Sequence, residues 1–273
     1  MKTSLFTLLV LFTLSACHTS KQGWKMVWEE NFDGAEINNA VWSKIPRSSN
    51  PPEWRKYMSS HPDCYEVKDG NLILRGIKNT DLAADTATYL TGGVYTKHKK
   101  AFHGGRLEVR AKLQGAKGAW PAIWMKPYDE ERFRWPTGGE IDIMEYYRIK
   151  GEPHILANAA WGTDRQWSAK WKSKAIPFTH FTDKDPQWAD KFHVWRMDWD
   201  ETAIKLYLDD ELLNEIPLSE TINGTIGMGT NPFRKPQYLL LNLALGGING
   251  GEIDDKGIPM RYEIDYVRVY QKQ

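Results

Sequence analysis

Short runs that alternate apolar and polar residues, each stopped by glycine or aspartate, recur from about residue 24 to the end of this chain. Arg106-Leu107-Glu108-Val109-Arg110-Ala111, Ile204-Lys205-Leu206-Tyr207-Leu208 and Tyr266-Val267-Arg268-Val269-Tyr270 change character at nearly every step, and Asn71-Leu72-Ile73-Leu74-Arg75 is a more continuous run. A period of two puts successive side chains on opposite faces, the pattern of half-buried strands. Asp69-Gly70, Gly92-Gly93, Gly104-Gly105, Asp209-Asp210, Gly246-Gly247 and Gly250-Gly251 punctuate the runs where the chain must turn. No long helical period, internal repeat or low-complexity tract interrupts them. The body is therefore expected to be all-β, a sandwich or barrel, and to form a single domain over residues 23–273. The stretch from Trp161 to Lys191 is less regular and reads as loops beside a site.

Residues 1–22 read differently. Met1-Lys2 gives a positive start, and Leu5 to Leu14 is a hydrophobic run of ten residues, too short to span a bilayer as a helix. Leu14-Ser15-Ala16-Cys17 resembles a bacterial lipoprotein box. That resemblance implies cleavage before Cys17, lipidation of Cys17, and an exported protein tethered to a bacterial membrane, at the periplasmic face or the cell surface, through the lipid alone. The remaining cysteine, Cys64, cannot build a disulfide framework and reads as a small buried hydrophobe. The formal net charge of +1 gives no sign of a nucleic-acid binder.

The segment Gly138-Gly139-Glu140-Ile141-Asp142-Ile143-Met144-Glu145-Tyr146 carries the chemistry. Strict alternation puts Glu140 and Asp142 on one face but sends Glu145 in among the isoleucines, where a charge is expensive. A β-bulge near Ile143-Met144 resolves the conflict by shifting the register one place and returning Glu145 to the acidic face. Three acids in a row repel one another and raise the pKa of at least one member. Glycoside cleavage with retention needs an ionised nucleophile and a protonated acid about 5–5.5 Å apart. The outer Cα atoms of the row lie about 13 Å apart at strand rise, a gap that two long Glu side chains could largely close. Two other readings stay open on spacing alone: a metal site, for which no ligand loop accompanies the acids, and a solvated acidic face.

At this point the sequence resembles glycoside hydrolase family 16, in its laminarinase-like and agarase-like form. The Glu-x-Asp-x-x-Glu strand is similar to that family's signature. Trp28-Glu29-Glu30-Asn31-Phe32-Asp33-Gly34, residues 105–112 with 118–125, Phe192-His193-Val194-Trp195 with Trp199, residues 206–210, residues 239–247 and residues 264–270 are similar to its other strands, in order. The resemblance implies a concanavalin A-like β-jelly-roll of two curved antiparallel sheets, with a cleft on the concave one. It also implies a retaining, endo-acting enzyme for a β-linked polysaccharide; the chain is expected to be a monomer. By position, Glu140 is the nucleophile, Asp142 the assisting carboxylate and Glu145 the general acid/base. No cofactor is implied for catalysis. A structural calcium is, with Glu30, the Gly70 carbonyl and Asp265 as its ligands. One departure stands out: many members carry His where Ala160 stands here, in the strand Ala157-Asn158-Ala159-Ala160-Trp161.

The chain has 13 Trp, beside 12 Tyr and 9 Phe, and indoles stack on the flat faces of sugar rings. Trp120, Trp135, Trp161, Trp167 and Trp171 are the stacking candidates, and Trp124 shares a face with Trp120 if no bulge intervenes. Asn158 and Arg106 are the polar candidates at the cleft wall. Trp28, Trp42, Trp195 and Trp199 read as core. Arg165, Lys170 and Lys172 could meet an anionic sugar but read first as a solvated loop, and His154 reads as surface or satisfied core. The expected substrate is a β-1,3- or mixed β-1,3/1,4-glucan. A β-galactan, including host galactose-containing O-glycans, is the alternative that Ala160 and the Trp-rich loop favour. A non-catalytic carbohydrate-binding lipoprotein is a third reading.

Overall fold

The alternating runs form strands because only the pleated chain sends their apolar residues to one side: along His193–Trp199 every second residue is buried. The computed structural model describes residues 23–273, so Cys17 and the rest of segment 1–22 lie outside the described residues. The strands, in chain order, are β1 (Trp24–Glu30), β2 (Ser43–Lys44), β3 (Tyr65–Lys68), β4 (Asn71–Lys78), β5 (Tyr89–Thr91), β6 (Gly93–Tyr95), β7 (Gly105–Leu113) and β8 (Ala119–Pro127). They continue as β9 (Glu140–Ile149), β10 (Glu152–Gly162), β11 (Ala169–Pro177), β12 (His193–Trp199), β13 (Ala203–Leu208), β14 (Glu211–Pro217), β15 (Gln237–Leu245) and β16 (Met260–Lys272).

They build two antiparallel sheets. One runs β14-β13-β12-β7-β16-β4-β3, with β1 also on β16 and β5 also on β4; the other runs β11-β10-β9-β8-β15-β6-β2. This is the two-sheet jelly-roll anticipated above. The interlayer core is shared by both sheets: Leu72, Leu74, Val109, Trp195 and Val267 from the first meet Ile123, Met125, Ile141, Trp161 and Leu241 from the second. Trp42 and Trp199 belong to this core and Trp28 packs against it. Cys64 is buried.

Every residue of β15 is buried. Leu239, Leu241, Leu243 and Leu245 point into the interlayer core. Tyr238, Leu240 and Ala244, on its other face, join a second apolar cluster with Ile45, Met58, Trp120, Ala122 and Trp124. A strand covered on both sides reads as a near-continuous hydrophobic run, and this one is covered from outside by the segment around residues 45–58.

The stretch from Trp161 to Lys191 is not wholly loop. Residues 169–177 form β11, which pairs with β10 in unbroken register from His154–Pro177 to Gly162–Ala169. Its sequence, Ala-Lys-Trp-Lys-Ser-Lys-Ala-Ile-Pro, alternates lysine with Trp171 and Ser173 rather than polar with aliphatic. It is an edge strand, and edges carry charge to discourage further pairing, which hid its period from an apolar count. Lys172 pairs with Glu220, and Lys170 lies over the Trp161 ring.

Candidate active site

The acid strand β9 starts abruptly because Gly139 lets it. Its φ is +79°, and a Cβ there would come within 2.9 Å of Phe233 and Pro232, so the chain can turn sharply and close-packed into Glu140 only with glycine. Beyond that turn the expected bulge is present. Across β10, Asp142 faces Asn158 and Glu145 faces Leu156, so two residues of β9 oppose one of β10 between these pairs. The same shift appears against β8, where Trp124 faces Asp142 and Ile123 faces Met144. Ile143 and Met144 both enter the interlayer core, and Glu140, Asp142 and Glu145 all line one cleft on the outer face.

The cleft has a volume of about 610 Å³. Trp120, Ala122, Trp124 and Lys126 of β8 and Asn242 of β15 form its floor, Asn158, Trp171 and Ser173 one wall, and Trp54 and Trp135 lie at its rim. The bulge leaves β8 regular against β15, where Trp120 faces Ala244 and Trp124 faces Leu240, so the two indoles share a face as expected. Trp124 donates to the Asn242 amide oxygen at 2.6 Å, and Trp54 meets the Trp124 ring edge-on at 4.8 Å.

Each acid is held by a specific donor. The Trp120 indole donates to Glu145 Oε1 at 2.9 Å. The Asn158 amide donates to Glu145 Oε2 at 3.0 Å and to Asp142 Oδ2 at 3.2 Å. The Trp135 indole donates to Glu140. Burial pushes all three carboxyls above their ordinary range. Repulsion from Glu145 adds to the rise at Glu140 and Asp142, while Lys126 and Trp135 pull Glu140 back and Asn158 and Trp120 pull Glu145 back. Asp142, buried and then repelled from both sides by Glu145 and Glu140, sits well above its ordinary value. The two glutamates titrate as a set around it. A neutral acid beside a charged carboxylate is what acid-assisted displacement at a sugar carbon requires.

Several expectations are corrected. Arg106 lies on β7 of the other sheet and is paired with Asp198 at 2.7 Å, away from the cleft. Trp161 is 2% exposed and packs in the interlayer core: three residues beyond Asn158, it must point to the opposite face. Trp167 stands 57% exposed in the turn between β10 and β11 and does not line the cleft. Trp171 does, at 45% exposed. The two carboxylates of the expected calcium set are engaged with protein partners. Asp265 is committed to Arg110, and Glu30 accepts from the Phe32 amide at 3.1 Å and the Trp42 indole at 3.3 Å. Among the described residues, no group of three or more His, Cys, Asp or Glu is arranged to hold a metal ion. The His154 ring hydrogen-bonds the Glu152 carbonyl at 2.8 Å.

Sequence reasoning missed Trp54, Lys126, Tyr147, Ser173, Asn242 and Asn249 in the cleft lining. Alternation carried Lys126 from Trp120 and Tyr147 from Glu145. For Trp54 and Asn249, on irregular segments, no periodic signal existed.

Comparison with known proteins adds the following. Residues 60–268 match the model of glycosyl hydrolases family 16. The chain is 30% identical over 269 residues to the glucan endo-1,3-beta-glucosidase A1 of Niallia circulans, covering 92% of this chain and 38% of that protein. It is 31% identical over 264 residues to the keratan-sulfate endo-1,4-beta-galactosidase of Sphingobacterium multivorum, covering 94% of this chain and 58% of that protein. The chain thus spans less than two thirds of the length of either relative. The crystal structure of a non-specific endo-beta-1,3(4)-glucanase superposes with a TM-score of 0.77 at 29% identity, covering 92% of both chains.

Proposed function

The chain belongs to glycosyl hydrolases family 16, and from that premise we propose that it is a retaining, endo-acting hydrolase of β-1,3- or mixed β-1,3/1,4-glucan. The observation that carries the reading is the bulge that sets Glu140, Asp142 and Glu145 along one aromatic-floored cleft. In this mechanism Glu140 attacks the anomeric carbon while Glu145 protonates the departing glycosidic oxygen. Water then displaces the sugar from Glu140, with Glu145 taking the proton back. Asp142, the assisting carboxylate, stands between them with its carboxyl raised by burial and by both neighbours. Each Glu145 oxygen keeps a second lone pair beside its N–H donor, so Trp120 and Asn158 fix the carboxyl plane without blocking its proton. Trp120, Trp124, Trp135 and Trp171 supply the faces on which sugar rings stack. Two carboxyl groups suffice for this chemistry, and no step calls on a cofactor.

A second reading, an endo-β-galactanase, is supported by Ala160 in place of the usual His and by the similarity to the Sphingobacterium multivorum enzyme. Incubating the mature protein with laminarin, lichenan, agarose, carrageenan and mucin glycans, and sizing the products, separates the two. E140Q and E145Q should abolish cleavage while retaining fold and glycan binding. Near-wild-type turnover in either refutes the assignment, and wild-type protein that binds glycan without cutting it is a lectin.

Export and lipid anchoring through Cys17 form part of the proposal. C17A should release the protein from the membrane fraction; unchanged fractionation would refute the anchor.

A further inference from the structure

The donors on Glu145 pose a problem. Trp120 and Asn158 both stabilise negative charge there, yet the reaction needs the charge on Glu140 and the proton on Glu145. Some feature has to favour the charge on Glu140.

Lys126 is placed to do so. On β8 it follows Met125, which faces Ile141 of β9, so the register sets Lys126 across from Glu140, and both line the cleft. Its side chain is 16% exposed. Its ammonium pairs with Glu130, in the connection from β8 to β9, and the same carboxylate takes Lys97 at 2.7 Å and the Tyr238 hydroxyl at 3.2 Å. Burial pulls Glu130 upward, but the two ammoniums outweigh it and hold its carboxyl at about 2. Glu130 therefore stays ionised at any working pH. Two lysines share one carboxylate, so the cluster has a positive charge in excess.

The other groups facing Glu140 do not replace it. Asp142 and Glu145, on the same strand, repel its charge or are neutral. Across on β10 stands Ala160, which has no charge. Trp135 gives a hydrogen bond but no charge, and Tyr238 of β15 is already spent on Glu130.

We propose that Lys126, anchored by Glu130, is a positioning residue that draws Glu140 toward its ionised form and leaves the shared proton to Glu145. This rests on the assignment of Glu140 as nucleophile. A purely structural role, clamping residues 128–139 to the sheet, is the competing explanation.

The test is kcat/KM against pH for wild type, K126M, K126R and E130Q, on whichever glycan the wild type cleaves, because the acid limb of that profile reports the nucleophile's ionisation in the free enzyme. K126M should move the limb up by about one pH unit, costing roughly tenfold in rate below it and little above it. K126R should restore it. E130Q should move it down, because both lysines lose their counter-charge. Opposite displacements in K126M and E130Q are something a loosened clamp cannot produce. An unmoved limb, or displacement of both variants in the same direction, overturns the inference. Where K126M fails to fold, K126Q carries the same expectation. If the wild type cleaves no glycan, the fault lies in the functional reading. Carbon-13 NMR titration of the Glu140 carboxyl in these variants then decides the charge argument by the same directions.

Discussion

Replacing Glu140 with Gln should make the protein more stable, by an amount that depends on pH. Burial, then repulsion from Glu145, lifts the Glu140 carboxyl from its ordinary 4.5 to about 8. Between those values the native state binds a proton that the unfolded chain has released, so stability falls as pH rises through this window. The span is three and a half pH units at about 1.4 kcal/mol each, which gives a ceiling of about 5 kcal/mol. Glu140 is partly open to the cleft, and solvent there screens the penalty, which leaves roughly 2–3 kcal/mol. Gln keeps the shape and the contact with the Trp135 indole but cannot ionise. E140Q should therefore match wild type near pH 4.5 and exceed it at pH 8.5 by about 4–12 °C in Tm, using 2–4 °C per kcal/mol for a chain of this size. Thermal unfolding of both proteins in matched buffers at half-unit steps reads this directly, because titrating groups remote from the acid row cancel in the difference. A constant offset across the range, or a gap that closes as pH rises, would refute the claim that the row is a store of electrostatic strain.

Trp120→Phe keeps a stacking ring but removes the N–H that fixes Glu145, so kcat should fall about tenfold while KM changes little; a change in KM alone would make Trp120 a binding platform only. Trp161→Phe should cost about 1–2 kcal/mol in urea unfolding and leave KM unchanged, because the ring faces the interlayer core; a raised KM at unchanged stability would return it to the cleft.

Much of this site was legible because one strand could not obey its own period. Glu145 on the apolar face was too costly, and the bulge was the local remedy. The strands with aliphatic alternation were legible for the same reason, since burial on one face leaves a period of two. Trp161 was misread: its parity with Asn158 turns it away from the cleft, but an aromatic next to the acids invited a binding role. Arg106 was not: its partner Asp198 lies 92 residues away, and nothing in the local sequence announces the pairing. Strand β11 escaped because its lysines mask the alternation, and Trp54 because an irregular segment has no period from which its direction could be read.

The apolar layer behind β15 gives the cleft two kinds of surface with different freedom to change. Trp120 and Trp124 stand in a packed cluster with Met58, Leu240 and Tyr238, so altering either ring to suit another sugar also opens a void that neighbouring residues must fill. Trp171, at the margin, carries no such obligation. Divergence toward new glycans should therefore accumulate in the borders of the groove, while its base is inherited with the stability of the sheet beneath it.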